Sequence, residues 1–140
     1  MLKTLSSYYT ISNEQKSSLK SYVSHIKANQ EKVNLIGKST LHKMWTRHIL
    51  DSIQIIRYLP KEKRGKFLLD VGTGAGFPGV VLSIMGRKNV LLCDKSSKKV
   101  FFLKKILKEC SLDIEIYNNR VEKFLKENID VIVSRAFASL

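Results

Sequence analysis

Apolar residues in the first part of the chain recur with the period of a helix buried on one face. Leu19, Tyr22, Val23 and Ile26 stand at i, i+3, i+4 and i+7. Ser12 and Gln15, three places apart, have the form of a capping box that would start this helix. A second helix is expected to open near Ser39 or Thr40 and to carry Leu41, Met44, Trp45, Ile49, Ile53 and Ile56 until Pro60 stops it. Residues 1–65 therefore read as an N-terminal helical region.

From Gly65 the period shortens, and compact β runs alternate with helical stretches, the pattern of an α/β protein with a parallel sheet. Phe67-Leu68-Leu69-Asp70-Val71 is followed by glycines and a helix bearing Val80, Val81, Ile84 and Met85, which Gly86 closes. Val90-Leu91-Leu92-Cys93-Asp94 leads to a helix capped by Ser96 or Ser97, with Val100, Leu103 and Leu107 on one face. Ile114-Glu115-Ile116-Tyr117 predicts a third strand before a short helix over 121–126. Asp130-Val131-Ile132-Val133-Ser134 predicts a fourth.

With 44% hydrophobic and 26% charged residues in 140, the chain is neither collagenous nor disordered. Its 25 Lys and Arg against 12 Asp and Glu give a formal charge of +13, which favours an anionic partner. Residues 1–65 hold 12 basic and 4 acidic residues, so the helical region is the expected RNA-facing part. The dominance of Lys, 19 against 6 Arg, is equally what a solvated surface shaped by coding composition would give. Cys93 and Cys110 have neither a His nor a second Cys at metal-ligand spacing, so no metal site is expected and both read as reduced thiols of a cytoplasmic protein. No apolar run approaches the roughly 18 residues of a membrane span.

The chemistry concentrates in Asp70-Val71-Gly72-Thr73-Gly74-Ala75-Gly76-Phe77-Pro78-Gly79, between the first strand and its helix. Gly72, Gly74 and Gly76 permit positive φ and are expected to bring bare N–H groups against a ligand, beside a helix start that favours a carboxylate or phosphate. A dinucleotide fingerprint would need glycine at 77, where Phe77 stands. Asp94 closes the second strand 22 residues after Gly72, where a carboxylate can accept from both hydroxyls of a ribose. That feature serves NAD and S-adenosyl-L-methionine alike, so it points to an adenosine-type cofactor without naming one.

Several segments together resemble one family. Leu69 through Gly79, Asp94-Lys95-Ser96 with Lys98-Lys99 and Phe102-Leu103, Asn119-Arg120-Val121-Glu122 and Ser134-Arg135-Ala136-Phe137-Ala138-Ser139-Leu140 are similar to the RsmG family, also called glucose-inhibited division protein B. These are bacterial small-subunit ribosomal RNA guanine-N7 methyltransferases. Upstream, Asn34-Leu35-Ile36 and Arg47-His48-Ile49-Leu50-Asp51-Ser52 match too, so the likeness spans about residues 30–140.

The resemblance implies a Rossmann-like methyltransferase fold, S-adenosyl-L-methionine as cofactor and guanine N7 of 16S ribosomal RNA, in the 530-loop region, as target. It implies that Gly72 and Phe77 line the cofactor site, that Val121 and Glu122 hold the adenine end, and that Arg135 borders the cofactor. Guanine N7 has a free lone pair and no proton to remove, so the reaction asks for in-line placement, worth roughly 7–11 kcal/mol, more than for a general base. Amino-group methyltransferases carry Asn or Asp, Pro, Pro and an aromatic residue after the fourth strand. Ser134-Arg135-Ala136-Phe137 here fits a ring nitrogen instead.

The family sheet has seven strands in the order 3-2-1-4-5-7-6, whereas strands 1 to 4 are recognisable here, so 66–140 read as the N-terminal half of the methyltransferase domain. The chain is accordingly expected to be a shortened, monomeric form, with the fourth strand as an unpaired edge. A noncatalytic RNA- or cofactor-binding remnant is the competing reading, and a nicotinamide-dependent dehydrogenase a third. In the Arg47–Ser52 segment, Arg47 and Asp51 are expected to pair across one helical turn, with packing or RNA contact rather than catalysis as their role. Lys95, Lys98, Lys99, Lys104, Lys105 and Lys108 follow Asp94; such a run is ordinarily a solvated face, with some members free to meet phosphate.

Overall fold

The computed structural model describes residues 9–123 and 128–135. Helix α1 spans Asn13–Asn29, and its capping box is formed from both sides: Gln15 N–H donates to Ser12 Oγ at 3.0 Å and Ser12 N–H to Gln15 Oε1 at 2.9 Å. Leu19, Tyr22, Val23 and Ile26 make its buried stripe, as the spacing predicts.

The expected second helix is not one regular helix. It begins as a 3-10 turn at Lys38–Lys43, widens to a π turn at Trp45–Leu50, becomes α2 at Asp51–Gln54 and tightens again at Ile55–Tyr58. Side chains take up carbonyls that a regular ladder would use. Ser52 Oγ donates to His48 O at 2.6 Å, and Arg135 Nη1, from far along the chain, donates to Arg47 O at 3.1 Å. Apolar periodicity alone could not register these competitors.

Strands β1 (Phe67–Val71), β2 (Val90–Asp94), β3 (Glu115–Asn118) and β4 (Ile129–Ser134) form one parallel sheet in the order β3-β2-β1-β4. The crossovers include α3 (Gly79–Ile84) and α4 (Ser97–Glu109). This is the expected α/β class with the Rossmann-like order. The third strand lies one residue later than predicted. The helix expected over 121–126 is seen as a 3-10 turn at Val121–Lys123, residues 124–127 lying outside the described ones. Residues 1–8 and 136–140, including Ala136, Phe137, Ala138, Ser139 and Leu140 of the closing motif, also lie outside them.

The main core fills one face of the sheet. Leu19, Tyr22 and Ile26 of α1 meet Met44, Ile49 and Ile53, Leu82 of α3, Leu103 and Ile106 of α4, and Leu68 and Leu92 of the sheet. Each fully buried apolar side chain of this size contributes about 1.5–3 kcal/mol. The opposite face carries a smaller cluster of Leu69, Val71, Leu91 and Cys93. Among the described residues β4 is an edge strand, and its Ile132 is 65% exposed.

Candidate functional site

The glycine segment leaves the carboxyl end of β1, and backbone bonds fold it back on its neighbours. Gly72 and Thr73 N–H both donate to Cys93 O, at 2.8 and 3.0 Å, while Gly76 and Phe77 N–H donate to Thr73 O, at 2.8 and 3.2 Å. Gly72, Gly74 and Gly76 have φ of 71°, 56° and 90°, as the turn requires. A further tie comes from Asp94, whose Oδ2 accepts from Gly74 N–H at 2.8 Å. The expectation of bare amides facing a ligand is thus corrected: these N–H groups are satisfied within the protein. The glycines give close backbone approach rather than free donors.

The other oxygen of Asp94, Oδ1, accepts from Ser96 N–H at 2.9 Å, so one carboxylate joins the glycine loop to the start of α4. Ser96 caps that helix by accepting from Lys99 N–H. Asp70, within β1 just before the loop, is fully buried. Its Oδ2 accepts from Thr73 Oγ1 at 2.7 Å and from Gly79 N–H at 2.8 Å, so a protein carboxyl already takes the first N–H of α3. Burial pushes the Asp70 carboxyl up to about 7 despite those bonds, and its Oδ1 has no partner.

Two clefts meet at this loop, at the carboxyl ends of the strands where open α/β sheets bind ligands. The larger, about 420 Å³, is walled by Val71, Gly72, Gly74, Asp94, Asn119 and Val121, with Cys93, Ser96, Lys99, Arg120 and Glu122 around them. The smaller, about 220 Å³, lies toward β4 between Leu35-Ile36-Gly37, the loop and the side chains of His48, Phe77 and Arg135. Gly72 and Gly74 line both. The eight predicted site residues therefore divide: Asp94, Val121 and Glu122 on the larger cleft, Phe77 and Arg135 on the smaller, Gly72 and Gly74 between. Gly76 lines neither. It faces inward, where a Cβ would collide with the Tyr22 hydroxyl and Val80.

The smaller cleft contains an arrangement that residue spacing does not disclose. The Phe77 ring stacks on the His48 imidazole, with centroids 5.1 Å apart, and the Arg135 guanidinium lies 5.6 Å from the same ring. Arg135 Nη2 is 2.5 Å from His48 Nδ1. A guanidinium only donates, so Nδ1 accepts and the imidazole proton sits on Nε2. Nε2 then donates to Thr40 Oγ1 at 2.9 Å, and Thr40 donates onward to Gly37 O at 3.0 Å. Burial and the Arg135 charge lower the His48 pKa to about 4, consistent with that neutral tautomer. The expected Arg47–Asp51 pair is absent among the described residues. Arg47 instead offers its carbonyl to Arg135.

The helical region grips the loop at a second point: the Tyr22 hydroxyl donates to Ala75 O, and the Tyr22 ring meets Phe77 edge-on at 5.9 Å. Tyr22 is a site residue outside the motifs, whereas His48, Lys99 and Asn119 lay within matched segments without being assigned to the cofactor site. Nothing in its segment tied His48 to Arg135. Among the described residues no three His, Cys, Asp or Glu side chains are grouped to hold a metal ion, and no helix is long and apolar enough to cross a membrane.

Comparison with known proteins bears on what such a loop serves. The family model described as rRNA small subunit methyltransferase G matches residues 15–140. A protein named ribosomal RNA small subunit methyltransferase G from Orientia tsutsugamushi (strain Ikeda) is 40% identical over 132 residues, 94% of this chain and 65% of its own length. Proteins of the same name from Rhodospirillum rubrum and Rickettsia felis are 38% and 39% identical over 93% and 82% of this chain. The chain covers 64% and 58% of those two relatives. On this combination of matched length, identity and fold, the chain belongs to the rRNA small subunit methyltransferase G family.

Proposed function

We propose that the paired clefts form a site for S-adenosyl-L-methionine and that the chain serves methylation of guanine N7 in 16S ribosomal RNA. The observation that carries this reading is the junction at Gly72 and Gly74, with a ribose-type carboxylate, Asp94, on one side and a cation beside an aromatic ring, Arg135 over Phe77, on the other. The larger cleft falls within the roughly 300–1,000 Å³ of small-ligand sites and sets Val71 and Val121 beside polar and charged side chains such as Asp94, Asn119 and Glu122, which suits a ring with polar edges joined to a ribose.

In this reading Asp94 accepts from the ribose hydroxyls with its remaining lone pairs, while Val121 and Glu122 receive the adenine edge. Gly72 and Gly74 let the backbone lie close to the cofactor, Gly76 shapes the turn from beneath, and Phe77 with Arg135 bounds the far end, where the guanidinium suits a carboxylate. The cofactor supplies an electrophilic methyl group. The protein's part is to hold the base in line and exclude water, since the target nitrogen has no proton to lose. Residues 1–65 act as a helical region that braces the loop, and 66–140 carry the first four strands of the methyltransferase sheet. The protein acts as a cytoplasmic monomer.

Transfer of labelled methyl from S-adenosyl-L-methionine to deproteinised small-subunit RNA, with the modified position mapped by N7-specific strand cleavage, tests the proposal. Label at another base would overturn the target. The chain spans about three-fifths of its relatives' length. S-adenosylhomocysteine binding with no methyl transfer would identify a noncatalytic form. A thermal shift with NADH but not S-adenosylhomocysteine would overturn the cofactor.

A further inference from the structure

We propose that the solvent-facing stripe of α4, comprising Lys98, Phe101, Lys104, Lys105 and Lys108, docks single-stranded RNA. The four ammonium groups would hold phosphates, and the Phe101 ring would stack on an unpaired base. The inference rests on the reading of the chain as an RNA methyltransferase and adds to it a surface outside the clefts.

Helix geometry gathers these residues. Lys98, Lys104, Lys105 and Lys108 stand at i−3, i+3, i+4 and i+7 from Phe101, so all lie within about 60° of it on one face. All five are exposed. The opposite stripe, Val100, Leu103, Ile106 and Leu107, is buried in the core, which fixes the orientation of the helix. From Lys98 to Lys108 the face runs about 15 Å, the reach of a few nucleotides.

Two observations separate this stripe from an ordinary solvated run. None of the four lysines forms an ion pair with a carboxylate among the described residues, and the nearest acid on the helix, Glu109, is engaged by His25 at 3.2 Å. Asp113 lines a shallow cleft with Lys104 and Lys108 without pairing with either, so cations stay in excess along the face. At its centre Phe101 is 66% exposed, so a large aromatic ring is presented to solvent among the four cations. Its ring is not loose: it meets Phe102 edge-on at 5.4 Å, and Phe102 packs against the core. A held aromatic ring among lysines is the pairing that sequence-tolerant single-strand binding uses.

Position and chemistry choose the partner. The first turn of α4 borders the larger cleft through Ser96 and Lys99, so a strand on this face runs toward the proposed site. A membrane surface fits poorly, because an amphipathic helix binds lipid with its apolar stripe and that stripe is already inside the core.

The test is binding of a 20-nucleotide oligouridine by the full chain over a salt series, with S-adenosylhomocysteine affinity and thermal melting as controls of the fold. Phe101→Ala is expected to weaken binding roughly 5- to 100-fold with the salt slope unchanged, and Phe101→Trp to preserve it. The triple change Lys98→Gln, Lys105→Gln, Lys108→Gln is expected to lower the slope of log K against log salt by about 2. Unaltered binding by both variants overturns the surface even if the wild type methylates RNA. Loss in both with no methyl transfer by the wild type upholds the surface and overturns the enzymatic reading. Tighter, Phe101-dependent binding to phosphatidylserine vesicles than to oligouridine overturns RNA as the partner.

Discussion

Replacing Gly76 by alanine tests whether the helical region and the glycine loop are one mechanical unit. Two separate costs follow from the structure. At φ +90° an L-residue is strained, worth about 1–2 kcal/mol. The new Cβ would also overlap the Tyr22 hydroxyl and Val80 Cγ2, and overpacking of a tight core adds about 1–3 kcal/mol. The sum, about 2–5 kcal/mol, is a large share of a stability of about 5–15 kcal/mol, and for a chain of this length the melting temperature should fall by about 7–17 °C. Thermal melting reads that shift, and urea unfolding followed by Trp45 fluorescence gives the free energy. Gly65→Ala separates the two costs, because Gly65 has φ +73° with nothing within 4 Å of the place its Cβ would take, and should show strain alone. Tyr22→Phe provides a second handle. It removes the oxygen that Cβ would meet, so Gly76→Ala should cost at least about 1 kcal/mol less in that background. If Gly76→Ala costs no more than Gly65→Ala, or if the double variant is additive, the Tyr22 contact does not set the loop.

Three further outcomes are expected. Asp70, raised to about 7 from 3.8, binds a proton more readily folded than unfolded, so its contribution makes the protein less stable as pH rises from about 4 to 7, by about 4 kcal/mol in all. His48, lowered to about 4 from 6.5, contributes stability that is present above about 6.5 and is lost as pH falls toward 4. The two slopes oppose each other: urea midpoints of Asp70→Asn should rise with pH across this window, and those of His48→Gln should fall. Asp94→Ala should weaken S-adenosylhomocysteine binding tenfold or more by calorimetry and cost about 1–2 kcal/mol of stability, since the bonds from Gly74 and Ser96 go with it. Arg135→Met should raise the His48 titration, read by NMR, toward but not up to 6.5, because the guanidinium charge is lost and burial stays.

Most of the scaffold was legible because it rests on local rules. The Ser12–Gln15 box, the α1 stripe and the Ser96 cap are each settled within a few residues, and β1 and β2 run as their apolar segments predict. The irregular Lys38–Tyr58 segment escaped because the groups competing for its carbonyls include Arg135, 88 residues from Arg47. The candidate site was legible where the motif itself lines a cleft, at Gly72, Gly74 and Asp94. It was not legible where function depends on contacts across the fold. Tyr22 reads as a core residue by its spacing, which it is, yet its hydroxyl holds Ala75. Gly76 has the same identity as Gly72 and Gly74 but faces the core, a difference of direction that spacing does not encode.

The double engagement of Asp94 has a thermodynamic consequence. With Gly74 N–H on one oxygen and Ser96 N–H on the other, the carboxylate is held in a single rotamer before any ligand arrives. A flexible side chain immobilised on binding would forfeit about 0.5–1.5 kcal/mol of conformational entropy. Asp94 has already been ordered by folding, so that loss belongs to the stability of the protein and not to the affinity of its ligand.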